Sequence, residues 1–216
     1  NLIIDSETGN LSVNANVTST GGNVTLVAGS TNAVAATSVA NGNVTGGDIL
    51  IGSANRSMTA GSGKTVIFYS GNANTANLST LVANGSVSQL KSYSTSAYNG
   101  TVNVSRALNV FYRVSPVLGA TNASVTATKT YDGTTNITAT GTVTGTPIDG
   151  DSVLGITNNL ILSYSSKNVA NNISVGDAGS NIGLATSSAN LSVMGYRVAT
   201  ALNLTANITP ANLTLT

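Results

Sequence analysis

Fifteen charged side chains serve 216 residues: eight Lys or Arg and seven Asp or Glu, with no His and no Cys. Without Cys and His there are no thiol nucleophiles, no disulfides, no usual structural zinc set and no Ser–His–Asp triad. Four of the carboxylates, Asp132, Asp149, Asp151 and Asp177, fall in the second half. Asp149-Gly150-Asp151 offers oxygens of the kind that Ca²⁺ takes, but a full site needs several more ligands and none is nearby in the sequence. Closing turns by accepting backbone N–H bonds is the favoured role for these Asp. General acid–base hydrolysis needs two carboxylates across a cleft, and these four are turn residues. Gly61-Ser62-Gly63-Lys64-Thr65 lacks the upstream Gly of a phosphate loop, and no helix is expected after it, so a corner is the better reading. The expectation is therefore no catalytic residue, no cofactor and no metal, with Asp149 and Asp151 as the one metal alternative. A net charge of +1 supplies no electrostatic footprint for nucleic acid.

Two other groups of residues invite a functional reading. Tyr93, Tyr98, Arg106, Phe111, Tyr112 and Arg113 gather larger side chains in a chain with only two Phe and seven Tyr. They suit either a receptor or sugar platform or, more plainly, a cap on an apolar column. Asn-x-Ser/Thr occurs at Asn10, Asn16, Asn23, Asn43, Asn55, Asn77, Asn84, Asn99, Asn103, Asn122, Asn136, Asn172, Asn190, Asn203, Asn207 and Asn212, sixteen of the 28 Asn. Chance would give roughly 7 to 8 at this Ser and Thr content. Strand alternation alone makes such triplets, as in Asn10-Leu11-Ser12. N-glycosylation is the functional alternative.

These residues must be carried by strands. Asn, Ser, Thr and Gly make up 109 of the 216 residues, and all four are mediocre or poor in helix interiors. In residues 1–72, short apolar runs follow Gly-rich corners: Leu11–Val17, Val24–Ala28, Ile49–Ile51 and Val66–Tyr69. Gly and Asn tolerate the left-handed backbone that tight corners use. Steps of 13, 25 and 17 residues between successive runs suggest a solenoid with variable corners, its Val, Leu and Ile stacked inward and its Thr, Asn and Ser outward. Residues 73–100 read as a Ser- and Asn-rich passage, followed by Leu108–Val114. From residue 123 the alternation lengthens (Ser124–Tyr131, Ile137–Val143, Leu160–Tyr164, Ala201–Ile208), as in a compact antiparallel domain. The expected architecture is all-β: the end of a right-handed parallel β-helix with its cap over 1–115, a linker over 116–122, and a small antiparallel β domain over 123–216. No run is long and apolar enough for a transmembrane helix. Strand-like residues at both ends suggest a piece of a longer protein.

Lys129-Thr130-Tyr131-Asp132-Gly133-Thr134-Thr135 opens a series of five ordered steps. The others are Gly150-Asp151-Ser152-Val153, Tyr164-Ser165-Ser166-Lys167-Asn168-Val169, Gly195-Tyr196 and Ile208-Thr209-Pro210. Together they resemble the YDG domain of large bacterial exoproteins, with a departure at Asn171, where that family more often has Gly. The motif residues Lys129, Tyr131, Asp132, Gly133, Lys167 and Asn168 read as fold chemistry, with Tyr131 expected to be buried beside the Asp-Gly turn. Gly22-Asn23-Val24-Thr25-Leu26 is similar to the repeats of filamentous-haemagglutinin-type adhesins. The two resemblances imply a two-partner-secreted adhesin, and the sequon excess points to the glycosylated high-molecular-weight subgroup. They further imply export through an outer-membrane translocator, a place on the cell surface or in the medium, a role in cell adhesion and virulence, and a host receptor or glycan as partner. A polysaccharide-active β-helix enzyme, which would need clustered charges, is the alternative, as is a purely structural spacer.

Overall fold

The computed structural model describes residues 1–30, 47–53, 55–73, 88–93, 106–120, 128–139, 143–144, 147–148, 151, 160–178, 182–184, 190–198 and 204–212. Among them every regular element is a strand, and most of the pairing in the first half is parallel.

The first seven strands are β1 (Leu2–Ser6), β2 (Leu11–Val13), β3 (Val17–Thr18), β4 (Val24–Ala28), β5 (Ile49–Ile51), β6 (Met58–Thr59) and β7 (Val66–Ser70). Each of the first four pairs in parallel with the strand three places further on. Leu2 lies beside Val24, Leu11 beside Ile49, Val17 beside Met58 and Val24 beside Val66. The chain thus visits three separate sheets in turn and returns to the first. The steps of 13, 25 and 17 residues run between different sheets rather than between successive layers of one, which is why they look irregular. Gly47 adopts φ 65°, and its missing Cβ leaves room for the backbone of Ala28 and Gly29.

Alternate side chains of β4 and β7 point into one core with Val13, Ile49 and Ile51: Val24, Leu26, Ala28, Val66 and Phe68. The sheet continues with β9 (Leu108–Tyr112), which pairs with β7 and adds Leu108, Val110 and Tyr112. The opposite face was expected to carry polar residues. Instead Val27, Ile67, Tyr69 and Phe111 form a second buried cluster with Leu90, and the Tyr69 and Phe111 rings stack 5.0 Å apart. These central strands are buried on both faces, as near-continuous apolar runs in parallel sheets generally are.

The same sheet does not stop where the sequence suggested a boundary. β8 (Gln89–Ser92), from the Ser- and Asn-rich passage, pairs with β9 on one side and with β17 (Leu191–Val198) on the other, both in parallel. β10 (Val117–Ala120) lies inside the expected linker and pairs in parallel with β17. β13 (Val143–Thr144) and β16 (Ile182–Leu184) add antiparallel partners. Residues on either side of 116–122 therefore share one hydrogen-bonded sheet.

A second sheet is made from β11 (Thr128–Thr130), β12 (Asn136–Ala139), β14 (Leu160–Tyr164), β15 (Ala170–Asp177) and β18 (Leu204–Thr209), in the order β11-β18-β15-β14-β12. Its pairings are antiparallel except for β11 with β18. Leu162, Tyr164, Ile173, Val175, Ala206 and Ile208 give it a buried face. A bulge interrupts β15 between Ala170 and Ile173, and Asn172 there adopts φ 56°. Asn is among the few non-Gly residues that accept that backbone, so the irregularity falls one residue beyond Asn171, the departure marked in the sequence.

Candidate functional site

The register places the aromatic and Arg group within the first sheet. Tyr93, Phe111, Tyr112 and Arg113 are each no more than 3% exposed. They offer no ring face to a receptor, and the platform reading fails for them because these positions alternate between two buried faces. Nor do they close the sheet's end, since β8, β17 and β10 lie beyond β9. Tyr98 lies outside the described residues. Arg106 is half-buried and donates to Ser192 Oγ at 3.0 Å, joining the start of β9 to β17. Arg113 donates through Nη1 to the Ala28 carbonyl and through Nη2 to the Gly47 carbonyl, both at 2.7 Å. Its planar fork holds together the end of β4 and the residues leading into β5. Burial lowers the Arg113 pKa, and the nearby Asp48 carboxylate opposes that shift.

One buried polar cluster joins the two halves of the chain. On β8 the inward positions fall to Gln89 and Lys91, so a lysine lies in the row formed by Leu26, Phe68, Val110 and Val193. Lys91 Nζ is 2.8 Å from Asp151 Oδ1, with side chains 5% and 2% exposed. Tyr93 Oη donates to Asp151 Oδ2 at 2.7 Å, and Tyr196 Oη donates to the same oxygen at 2.9 Å. Ile148 N–H donates to Tyr196 Oη at 3.0 Å, which directs the phenol proton toward the carboxylate. Burial first, then the Asp151 charge, raises the Tyr196 pKa far above its ordinary value and keeps it a donor. Tyr93 stacks on Tyr112 with ring centroids 5.3 Å apart and meets Tyr196 edge-on at 4.9 Å. Gly195 adopts φ 93°, and a Cβ there would strike the Tyr93 carbonyl.

The Gly-Asp and Gly-Tyr steps noted in the sequence thus meet each other and two residues of the first half. Asp151 spends both oxygens on Lys91 and the tyrosines, so it is a poor Ca²⁺ ligand. Asp149 lies outside the described residues, and among those described no three metal-ligating groups come together. Sequence reasoning singled out Asp151 and Tyr93 separately and missed Lys91 and the pairing. The one available signal was a Lys within Gln89-Leu90-Lys91, in a chain that has little charge elsewhere.

A second Lys–Asp pair organises the loop after β11. Lys129 Nζ donates to Thr134 Oγ1 at 2.8 Å and to the Thr134 and Asn136 carbonyls at 2.9 Å, and lies 2.7 Å from Asp132 Oδ1. Asp132 Oδ1 also accepts from Thr134 N–H at 2.8 Å and from Thr134 Oγ1 at 2.9 Å. Gly133 supplies φ 79° at the apex. The ammonium sits among loop oxygens, 6.0 Å from the Tyr164 ring centroid. Tyr131 was expected to be buried here but is 41% exposed; the side chain turned inward is that of Lys129, opposite Ile208. Lys167 and Asn168 are exposed in the turn before β15.

The sequon asparagines fall into distinct settings. Asn1, which is not a sequon residue, and the sequon residues Asn10, Asn16 and Asn23 each stand directly before a strand. Their Oδ1 atoms accept from the backbone N–H of Asn23, Asp48, Ser57 and Thr65, the residues just before the partner strands, at 2.9–3.1 Å. The N–H of the next residue in each case (Leu2, Leu11, Val17 and Val24) donates to the carbonyl of the same partner residue. The side chain therefore extends the parallel ladder one step into the corner. Ser88 repeats the device for β9 by accepting from Ala107 N–H. In the second sheet Asn207 Oδ1 accepts from Asn172 N–H at 2.9 Å, across the bulge. Asn55, Asn136, Asn172, Asn190 and Asn212 are exposed. Asn43, Asn77, Asn84, Asn99, Asn103, Asn122 and Asn203 lie outside the described residues. For Asn10, Asn16, Asn23 and Asn207 the pattern has a structural cause stronger than alternation alone.

Comparison with family models, with curated proteins and with solved structures returns no match.

Proposed function

We propose that this chain is a non-catalytic segment of a bacterial surface adhesin. In this reading the first half is the end of a right-handed parallel β-helix, and the second carries a YDG-type domain. The chain serves as stalk, as a host-surface contact, or as both. The observation that carries the reading is the side-chain ladder at successive corners: Asn1, Asn10, Asn16 and Asn23 each bond to the neighbouring layer. Such a device repeats with the layers and extends a rod without needing charge. The five motif steps support the adhesin assignment. Export through an outer-membrane partner translocator, with a host receptor or glycan as the eventual partner, follows from the same reading.

Antibodies raised against this chain should label intact producing cells or find the protein in their culture medium; retention inside the cells would overturn the proposal. Beads coated with the whole chain would then separate the two roles. Saturable attachment to host cells marks a contact surface, and no attachment marks a stalk.

A further inference from the structure

We propose that Lys91 and Asp151 are joined by an intramolecular amide bond, formed spontaneously once the chain has folded. The two side chains meet at 2.8 Å, 5% and 2% exposed, beside Tyr93 and Tyr196, whose rings meet edge-on and whose hydroxyls both bond to Asp151. Water is excluded there, and an amine and a carboxyl are held at reacting distance, which replaces a bimolecular encounter by an intramolecular one. The polar atoms around Asp151 are arranged unequally. Oδ1 faces the lysine, while Oδ2 receives hydrogen bonds from two phenols, at 2.7 Å from Tyr93 and 2.9 Å from Tyr196. Paired donors of that kind stabilise the oxyanion that develops when a nucleophile adds to a carboxyl carbon.

The step balances without any further reactant. One proton passes from Lys91 Nζ to Asp151 Oδ1 along their hydrogen bond. The freed Nζ lone pair attacks Cγ, negative charge collects on Oδ2, and the two tyrosines hold it. A second proton then leaves Nζ for Oδ1, the Cγ–Oδ1 bond breaks, and Oδ1 departs as water. Nζ keeps its last proton and Oδ2 becomes the amide carbonyl, still bonded to both phenols. Nothing is oxidised or reduced. A buried ion pair, costly to desolvate, is replaced by a neutral amide. In a chain without Cys, this bond ties β8 to the segment at Asp151.

The test is the intact mass of the purified whole chain under denaturing conditions. The bond makes the chain lighter than its sequence by one water, about 18 Da, and fragment spectra show a branched peptide linking Lys91 to Asp151. Asp-Gly sites can also lose water, so the variant Lys91→Arg is measured alongside: it keeps the charge but should show the full sequence mass. A wild-type chain at its sequence mass overturns the proposal, as does a loss of water that persists in Lys91→Arg or maps elsewhere. The double variant Tyr93→Phe with Tyr196→Phe should form the bond more slowly, read as a lower bonded fraction at a fixed time after refolding. An unchanged rate would overturn the role given to the phenols.

Discussion

Two Lys–Asp pairs, each next to tyrosine, do opposite work in this molecule. Lys91 and Asp151 meet deep in the first sheet, 60 positions apart in the chain. Lys129 and Asp132 are three residues apart in a loop where the Asp side chain is 54% exposed. In the buried pair every polar atom has to be matched inside the protein, so the partners come from three separate strands and segments. In the loop pair, water can substitute for any lost contact, and the bonds serve to choose one loop shape among several. Burial, rather than the residue types, decides whether a pair is a structural joint or a local organiser.

The sharpest way to break that comparison is to remove one carboxylate from each pair. Asp151→Ala removes the carboxylate that faces Lys91 in an apolar row and accepts from two phenols. It should cost about 3–5 kcal/mol, the usual price of stranding one member of a buried pair, and more if the amide bond is present. Chemical denaturation of the whole chain would read it. A loss below about 1 kcal/mol, the range of exposed pairs, would mean that the cluster is open to water. Arg113 tests the same rule at a fork that donates to two backbone carbonyls. Arg113→Met keeps much of the stem but removes both donors, leaving the carbonyls of Ala28 and Gly47 short of partners, and should cost about 3 kcal/mol.

The corner ladder sits between these extremes. Asn16 is exposed, yet its Oδ1 holds Ser57 N–H at 3.0 Å. Asn16→Ala should lose about 1 kcal/mol, the net worth of one ordinary hydrogen bond. Asn16→Asp keeps the acceptor while destroying the sequon, so it should recover most of that loss at neutral pH. If both variants lose equally, the ladder bond contributes nothing and alternation alone explains the Asn. Thermal midpoints of the three proteins, measured side by side, decide it.

How much of this was legible beforehand depends on what each strand buries. Poor helix formers and β-branched runs marked the all-β character and placed β4, β5, β7, β9 and β14 near their observed positions. β8 was invisible because its inward positions are Gln89 and Lys91, polar residues that the fold satisfies and the alternation rule reads as outward. β15 has only Ile173 and Val175 buried among eight residues, too faint a period to see. The pairing of β8 with β17 joins segments about a hundred residues apart, which no local pattern encodes. That pairing is what carried the sheet across the expected linker and gathered Lys91, Tyr93, Asp151 and Tyr196. The motif around Lys129 was recognisable as a unit, but its burial was assigned to the wrong residue. An aromatic ring is usually the better candidate for burial; here the Lys129 ammonium lies over the Tyr164 ring and is bonded by the loop's own oxygens.

The smallest expected effect concerns the exposed pair and depends on pH. The hydrogen bond from Lys129, followed by that from Thr134 N–H, lowers the Asp132 pKa from 3.8 to about 2. A carboxylate with a depressed folded pKa stabilises the fold above its unfolded pKa and loses that contribution as pH falls through the folded value. The window therefore runs from about pH 4 down to about pH 2. Asp132→Asn keeps an acceptor for Thr134 N–H but cannot titrate, so it isolates the charge. Wild type should be slightly the more stable at pH 5, and its lead over the variant should close on the way to pH 2. The difference in urea midpoint between the two proteins is the quantity to follow, because the other carboxylates titrate in both and cancel. It should also shrink with added salt, since an exposed pair is screened. A lead that is constant across the window would mean that Lys129 is held by the loop carbonyls alone, and the contrast with Lys91 would then rest on the buried pair only.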